Sequence, residues 1–141
     1  MKGQWTNIYS GDLALRSWWV DSVNDCKYVS ILLPEVFGIN NWIRSFSEKL
    51  AQQNVPVLAL PLYGRTAPNL DLEYSEEDLK LGRHHKNLTT LKNIIDDVSA
   101  AINWVKEKYP SKKISIIGFC FGGHAASVSY THLRAHETSL H

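Results

Sequence analysis

The residues Gly118 to Ser127, "GFCFGGHAAS", hold the arrangement in the chain best suited to chemistry. Cys120 stands between Gly118 and Gly122 in the spacing of a nucleophile elbow, G-x-[nucleophile]-x-G between a strand and a helix. The turn is so sharp that flanking side chains must be tiny, a condition both glycines meet. It lifts the central side chain clear of the sheet, at a helix N-terminus whose dipole favours a thiolate. Two plainer readings fit the same residues: cysteine is among the most buried types, and Gly-rich strand-to-helix turns also bind phosphates. A catalytic thiol further needs a histidine as base and an acid to orient it. Three histidines, His132, His136 and His141, follow in "VSYTHLRAHETSLH".

Positioning such a turn requires a sheet, and the preceding sequence supplies one. "YVSILLP" (residues 28–34), "VPVLALP" (55–61) and "KISIIG" (113–118) are short apolar runs of the kind buried on both faces. Between the first two, residues 41–54 carry Ile43, Phe46 and Leu50 on one helical face. Asn40 or Asn41 caps the start of that helix, and Asn54 and Pro56 end it. Residues 61–86 form a long polar connection in which Ser75, three residues before Asp78, opens a short helix. Leu88, Leu91, Ile95, Val98, Ile102 and Val105 form a continuous helical stripe that Pro110 terminates. Strand, helix, strand, helix, strand specifies parallel strands joined by crossovers, an α/β sheet with helices on its faces. Residues 5–20 are expected to form a leading hairpin around Ser10, Gly11 and Asp12. The functional loops of such a sheet leave the carboxyl ends of its strands. Here they are "PEVFGIN", "PLYGRTAP" and "GFCFGGHAA".

The totals narrow the class of protein. With 141 residues, 44% hydrophobic and 21% charged, the composition is that of one globular domain or a piece of one. Fifteen basic and 14 acidic residues give a net charge of +1, which points to neither nucleic acid nor a membrane surface as partner. The first 20 residues lack a basic segment followed by an apolar run, and no window approaches 18 consecutive apolar residues. Cys26 and Cys120 have no metal-site spacing and are too few for a disulfide scaffold. A cytoplasmic protein is therefore expected.

Three separated motifs, in order, carry a family resemblance. "LLPEVFGINNWIRSFSEKLAQQNVPVLALPLYGRTAP" followed by "IIGFCFGGHAA" resembles the dienelactone hydrolase family of the α/β-hydrolase superfamily, from about Tyr28 to Ser127. The match resembles the N-terminal half of a family member, truncated after the nucleophile elbow. The resemblance implies an ester or lactone hydrolase working through an acyl-enzyme on Cys120, with no metal or organic cofactor and a small-molecule substrate. It implies that the backbone N–H groups of Val36 and Phe121 form the oxyanion hole. Glu35 matches an acidic residue that helps activate the thiol, and Arg65 an arginine that helps hold a substrate carboxylate.

Plainer roles stand beside these. Glu35 also reads as a solvated carboxylate at a strand end, and Arg65 as a surface charge. Tyr63 and Trp42 fit a pocket wall or the core. The acidic residues Glu73, Glu76, Glu77 and Asp78 read as a solvated face, His84 and His85 as exposed, and Cys26 as a structural or surface thiol. A non-catalytic binding protein on the same fold and a redox-sensing thiol protein are the rival functions.

The tail does not complete the machinery. In this superfamily the acid and histidine follow the nucleophile on later strand-end loops, and 21 residues are too few to reach them. After Ser127 the apolar pattern stops. The segment "VSYTHLRAHET" resembles a transposon-type sequencing adaptor read in frame, so residues 1–127 are read as the native α/β-hydrolase part and 128–141 as read-through. An independent genomic clone is expected to diverge from this sequence after Ser127; the same codons in uninterrupted genomic context would refute that.

Overall fold

The structure, a computed structural model, describes residues 2–119. Strands β1 (Gln4–Ser10) and β2 (Leu13–Val20) form the expected hairpin, with Ser10 paired to Leu13. Gly11 takes the left-handed φ of +62° that such a tight turn demands. Strand β3 (Tyr28–Leu33) leads to helix α1 (Asn41–Gln52) and strand β4 (Val57–Ala59). Helices α2 (Glu76–Asn87) and α3 (Leu91–Lys108) then lead to strand β5 (Lys113–Gly118).

The sheet order is β1-β2-β4-β3-β5, with β4, β3 and β5 parallel and the hairpin running antiparallel beside β4. From β3 the chain crosses to β4 on one side, and from β4 it crosses back past β3 to β5. Crossovers of one hand running in opposite directions put their helices on opposite faces. Accordingly α1 packs against Leu32, Val57 and Ala59, whereas α3 packs against Val29, Ile31 and Leu58. With both faces covered, β4 is buried throughout and β3 from Val29 onward.

Local signals explain the element ends. The Asn40 side chain accepts from the Ile43 N–H at 3.1 Å, and Asn54, at φ +64°, ends the turn after α1. The Ser75 hydroxyl accepts from the Asp78 N–H at 3.1 Å, as the spacing of those two residues predicts. The long stripe differs from expectation at its start. Thr90 caps α3 by accepting from the Asn93 N–H, so the helix begins at Leu91, and Leu88 belongs to the end of α2. Leu88 and Leu91 are 51% and 53% exposed, and the buried line is Ile94, Val98, Ala101, Ile102 and Val105.

Several polar groups in the core are paired across elements. Ser30 and Ser115, paired across β3 and β5, join their hydroxyls at 2.6 Å. The Tyr109 hydroxyl, just past α3, donates to the Asp21 carboxylate beyond β2. Burial first, then that carboxylate, raises the Tyr109 phenol above its ordinary value, and burial alone raises Tyr63. Both phenols therefore stay protonated in the fold where they ionise in the unfolded chain. Their contribution is complete below about pH 10 and is lost above it. Urea midpoints are expected to be flat from pH 8 to 10 and to fall steeply beyond, with the fall reduced in Tyr109→Phe and Tyr63→Phe.

Candidate active site

The site begins where β3 and β5 end side by side. Leu33 is paired with Gly118, and the Phe119 N–H donates to the Leu33 carbonyl at 3.2 Å. Pro34, which has no N–H to continue the ladder, ends β3 and directs the chain into the loop carrying Glu35 and Val36. Phe119 sets its ring edge-on against Trp42 and Phe46 of α1, at 5.3 and 5.4 Å between centroids. Trp42, stacked on Phe46, is thus an anchor for the exit from β5 while remaining 45% exposed. Cys120 and Phe121, the expected nucleophile and second oxyanion donor, lie outside the described residues, as do His132, His136 and His141.

Backbone contacts hold the loop after β3. Gly38 has φ +79°, and a Cβ there would stand 2.3 Å from the Leu70 carbonyl oxygen. Gly38 bridges Asp71, and the Leu72 N–H donates to the Phe37 carbonyl at 2.9 Å. The Arg44 guanidinium donates to the Ile39 carbonyl at 2.8 Å and to the Asp71 carboxylate at 3.0 Å, tying α1 to both segments. The Asn40 amide adds a 3.3 Å bond to the Leu72 carbonyl. Within this frame the Val36 N–H donates to no described acceptor. The half-buried Glu35 carboxylate likewise has no hydrogen bond or ion pair among the described residues.

Arg65 has a partner that its sequence position does not announce. Its guanidinium donates two parallel bonds to Asp97, at 2.8 and 3.1 Å. Asp97 lies on the buried face of α3 and is 1% exposed, while the Arg65 side chain is 33% exposed. The pair fastens the loop after β4 to α3, so the cation expected to meet a substrate carboxylate is engaged by an internal one. The missed residue had a faint signal: Asp97 falls three residues after Ile94 and four before Ala101, inside the helical stripe. A charge at such a position calls for a partner.

Other expectations resolve simply. Tyr63 is buried in the core beneath the loop after β4. The Asp78 carboxylate accepts from the Glu73 N–H at 2.8 Å, and Glu73, Glu76 and Glu77 are exposed. His84 is exposed, whereas the half-buried His85 pairs its Nδ1 with the Thr66 hydroxyl at 2.9 Å, linking α2 to the loop after β4. Cys26 is buried, and that burial raises its thiol above the ordinary value, which makes it a poor nucleophile. A cavity of about 60 Å³ lies between the two loops, lined in part by Ile39, Tyr63 and Asp71. It is far below the several hundred Å³ typical of a ligand pocket. No described helix is long and apolar enough to cross a membrane.

This arrangement has relatives. The sequence profile described as "Dienelactone hydrolase family" matches residues 18–138. A protein named "Putative carboxymethylenebutenolidase" from Synechocystis sp. is 33% identical over 97 residues, covering 67% of this chain and 39% of its own. A carboxymethylenebutenolidase of Pseudomonas putida is 28% identical over 102 residues, covering 67% and 41%. Among solved structures, one titled "Putative Dienelactone Hydrolase" from Klebsiella pneumoniae superposes with a TM-score of 0.77 at 22% identity, covering 98% of this chain and 56% of its own. The chain thus spans about two fifths of the length of these curated relatives and just over half of that structure.

Arg65→Ala would strand the Asp97 carboxylate in the core. It is expected to lower stability by about 2 kcal/mol, less than for a fully buried pair because Arg65 is partly solvated. Adding Asp97→Ala is expected to restore part of the loss in a denaturant-based double-mutant cycle. Unchanged stability with weakened binding of carboxylate-bearing esters would assign Arg65 to the substrate instead.

Proposed function

Because the chain belongs to the dienelactone hydrolase family, we propose that the full-length protein hydrolyses small-molecule esters or lactones with Cys120 as nucleophile. The observation that carries this reading is the side-by-side ending of β3 and β5. Leu33 pairs with Gly118, and Cys120 is the second residue after that pair. The loop bearing Glu35 and Val36 leaves the neighbouring strand end.

In this reading the Cys120 thiolate attacks the carbonyl carbon, and the carbonyl oxygen takes up the negative charge of a tetrahedral intermediate. The N–H groups of Val36 and Phe121 stabilise that oxyanion. A donor whose direction is fixed in advance needs no reorganisation at the moment of reaction. The pinned loop, and a Val36 N–H that donates to no acceptor among the described residues, support that role. Collapse of the intermediate breaks the C–O bond, the leaving oxygen takes a proton, and a thioester remains on Cys120. Water then cleaves the thioester, regenerating the thiol and releasing the acid. The Glu35 carboxylate, without a partner among the described residues, supports its assignment as the group that takes the thiol proton or orients it. The histidine and aspartate of the family's triad belong to chain beyond Cys120.

Substrate identity stays at the level of the bond cleaved, because one family hosts many substrates. The ion pair with Asp97 supports a loop-fastening role for Arg65 over a substrate-binding one. The 141-residue chain alone, lacking the later triad positions, is proposed to be inactive.

In the full-length protein, rapid mixing with an aryl ester is expected to show a burst of the released phenol equal to one acyl group per Cys120. Cys120→Ala abolishes it, and Glu35→Gln lowers kcat/KM by about 100-fold, the scale of a lost proton-transfer group. Cys26→Ala leaves both unchanged. An intact burst in Cys120→Ala would end the reading. Binding without any burst would favour a non-catalytic protein.

A further inference from the structure

The interior of α2 presents a glycine to the loop that carries Val36. Gly82 is buried mid-helix, where alanine is the better helix former, so its presence calls for a packing reason. A Cβ at this position would stand 2.3 Å from the Val36 carbonyl oxygen, 3.0 Å from the carbonyl carbon and 3.1 Å from the Val36 Cβ. The nearest of these atoms is backbone, which cannot swing aside as the end of a flexible side chain does.

Neither partner has room to retreat. On its other side the loop is fixed by the close approach of Gly38 to Leu70, by the Leu72 to Phe37 hydrogen bond and by Arg44. The helix is held at its start by the Ser75 cap and by the bond between Asp78 and Glu73. Near its end it is held by His85 against Thr66. Relieving a 2.3 Å contact to the 3.4 Å of ordinary van der Waals packing would need a displacement of about 1 Å. A misplacement of that size at a reacting centre can cost about 100-fold in rate.

We propose that Gly82 is a positioning residue: its missing side chain lets α2 seat directly on the Val36 carbonyl and so fixes the direction of the Val36 N–H. The catalytic consequence rests on the reading of that N–H as an oxyanion donor. Because α2 lies in the connection between β4 and α3, a segment distant in sequence from β3 sets the direction of a donor on the loop after it.

The test uses the full-length protein with Gly82→Ala, and Leu81→Ala on the exposed side of the same helix as control. Gly82→Ala is expected to lower kcat for an aryl ester about 10- to 100-fold with KM within about 3-fold. The alkylation rate of Cys120 by iodoacetamide should stay the same, and the Val36 amide cross-peak in a ¹H–¹⁵N spectrum should move. Leu81→Ala should change none of these. A kcat loss that merely tracks loss of folded protein, or a Val36 cross-peak that does not move, overturns the proposal. Should Gly82→Ala fail to fold, the wild-type order parameter decides: a Val36 N–H as rigid as α2 (about 0.85) supports it, and a value below about 0.6 overturns it. If the wild-type protein shows no turnover, the oxyanion reading falls, and the cross-peak and order parameter still decide whether Gly82 sets that amide.

Discussion

The register of β3 against β5 is the constraint from which the rest of the site follows. Pairing Leu33 with Gly118 ends both strands at one level, so the loop after β3 and the chain leaving β5 emerge together. A slip of one residue would turn every side chain of β5 to the other face and remove Ser115 from Ser30. Two features oppose such a slip. The Ser30 and Ser115 hydroxyls meet within the sheet at 2.6 Å, and Phe119 sets its ring edge-on against the stacked Trp42 and Phe46. The first is a polar contact that loses its partner if the register shifts, and the second is an apolar contact that loses its socket. Together they make the strand pairing specific where apolar burial of Ile114 alone would accept several alignments.

The order of elements was readable because each was marked by local chemistry. Gly11 supplied the hairpin turn, and Asn40 and Ser75 the caps. The start of α3 was not readable from periodicity. Leu88 and Leu91 continue the spacing of the stripe by coincidence, and only the cap made by Thr90 separates α3 from α2. The site was half readable in the same sense. Glu35 and Val36 sit at a strand end, which the apolar run before them announces. What holds them there is made by residues remote in sequence: Leu70, Asp71, Leu72 and Gly82. No periodicity relates those positions, because the contacts pass through backbone atoms that every residue type shares. An isolated glycine in a helical pattern was the one trace of them.

Arg65 shows how a charge acquires a different meaning once its surroundings are known. A lone arginine in a strand-end loop invites a substrate carboxylate. A carboxylate nine-tenths or more buried on α3 already meets it in the two-bond geometry that guanidinium favours. For a substrate to claim Arg65, Asp97 would have to remain charged in the core without its partner, a cost larger than one exposed hydrogen bond returns. The pair therefore belongs to the framework. It fixes the loop after β4 to the helix on one face, as Arg44 of α1, through the Ile39 carbonyl, fixes the loop after β3 to the helix on the other.

These two loops are held in different ways, and the difference bears on what can vary. Arg65 with Asp97 and Arg44 with Asp71 are side-chain pairs, each lost when either member changes. The contacts of Gly38 with Leu70 and of Gly82 with Val36 run from an absent side chain to a backbone carbonyl, and constrain one residue of each pair. At Leu70 and Val36 the contact is with the backbone carbonyl, whatever the side chain, although both side chains are themselves packed in or against the core. The two kinds of anchor also differ energetically. A side-chain anchor carries rotamer entropy and solvent screening, so it holds a loop to within the play of its own torsions. A backbone seated against backbone has no such play, and any intrusion must displace a whole helix. The Val36 N–H, proposed above as an oxyanion donor, lies on the loop that has glycine contacts through backbone in addition to the Arg44 bond.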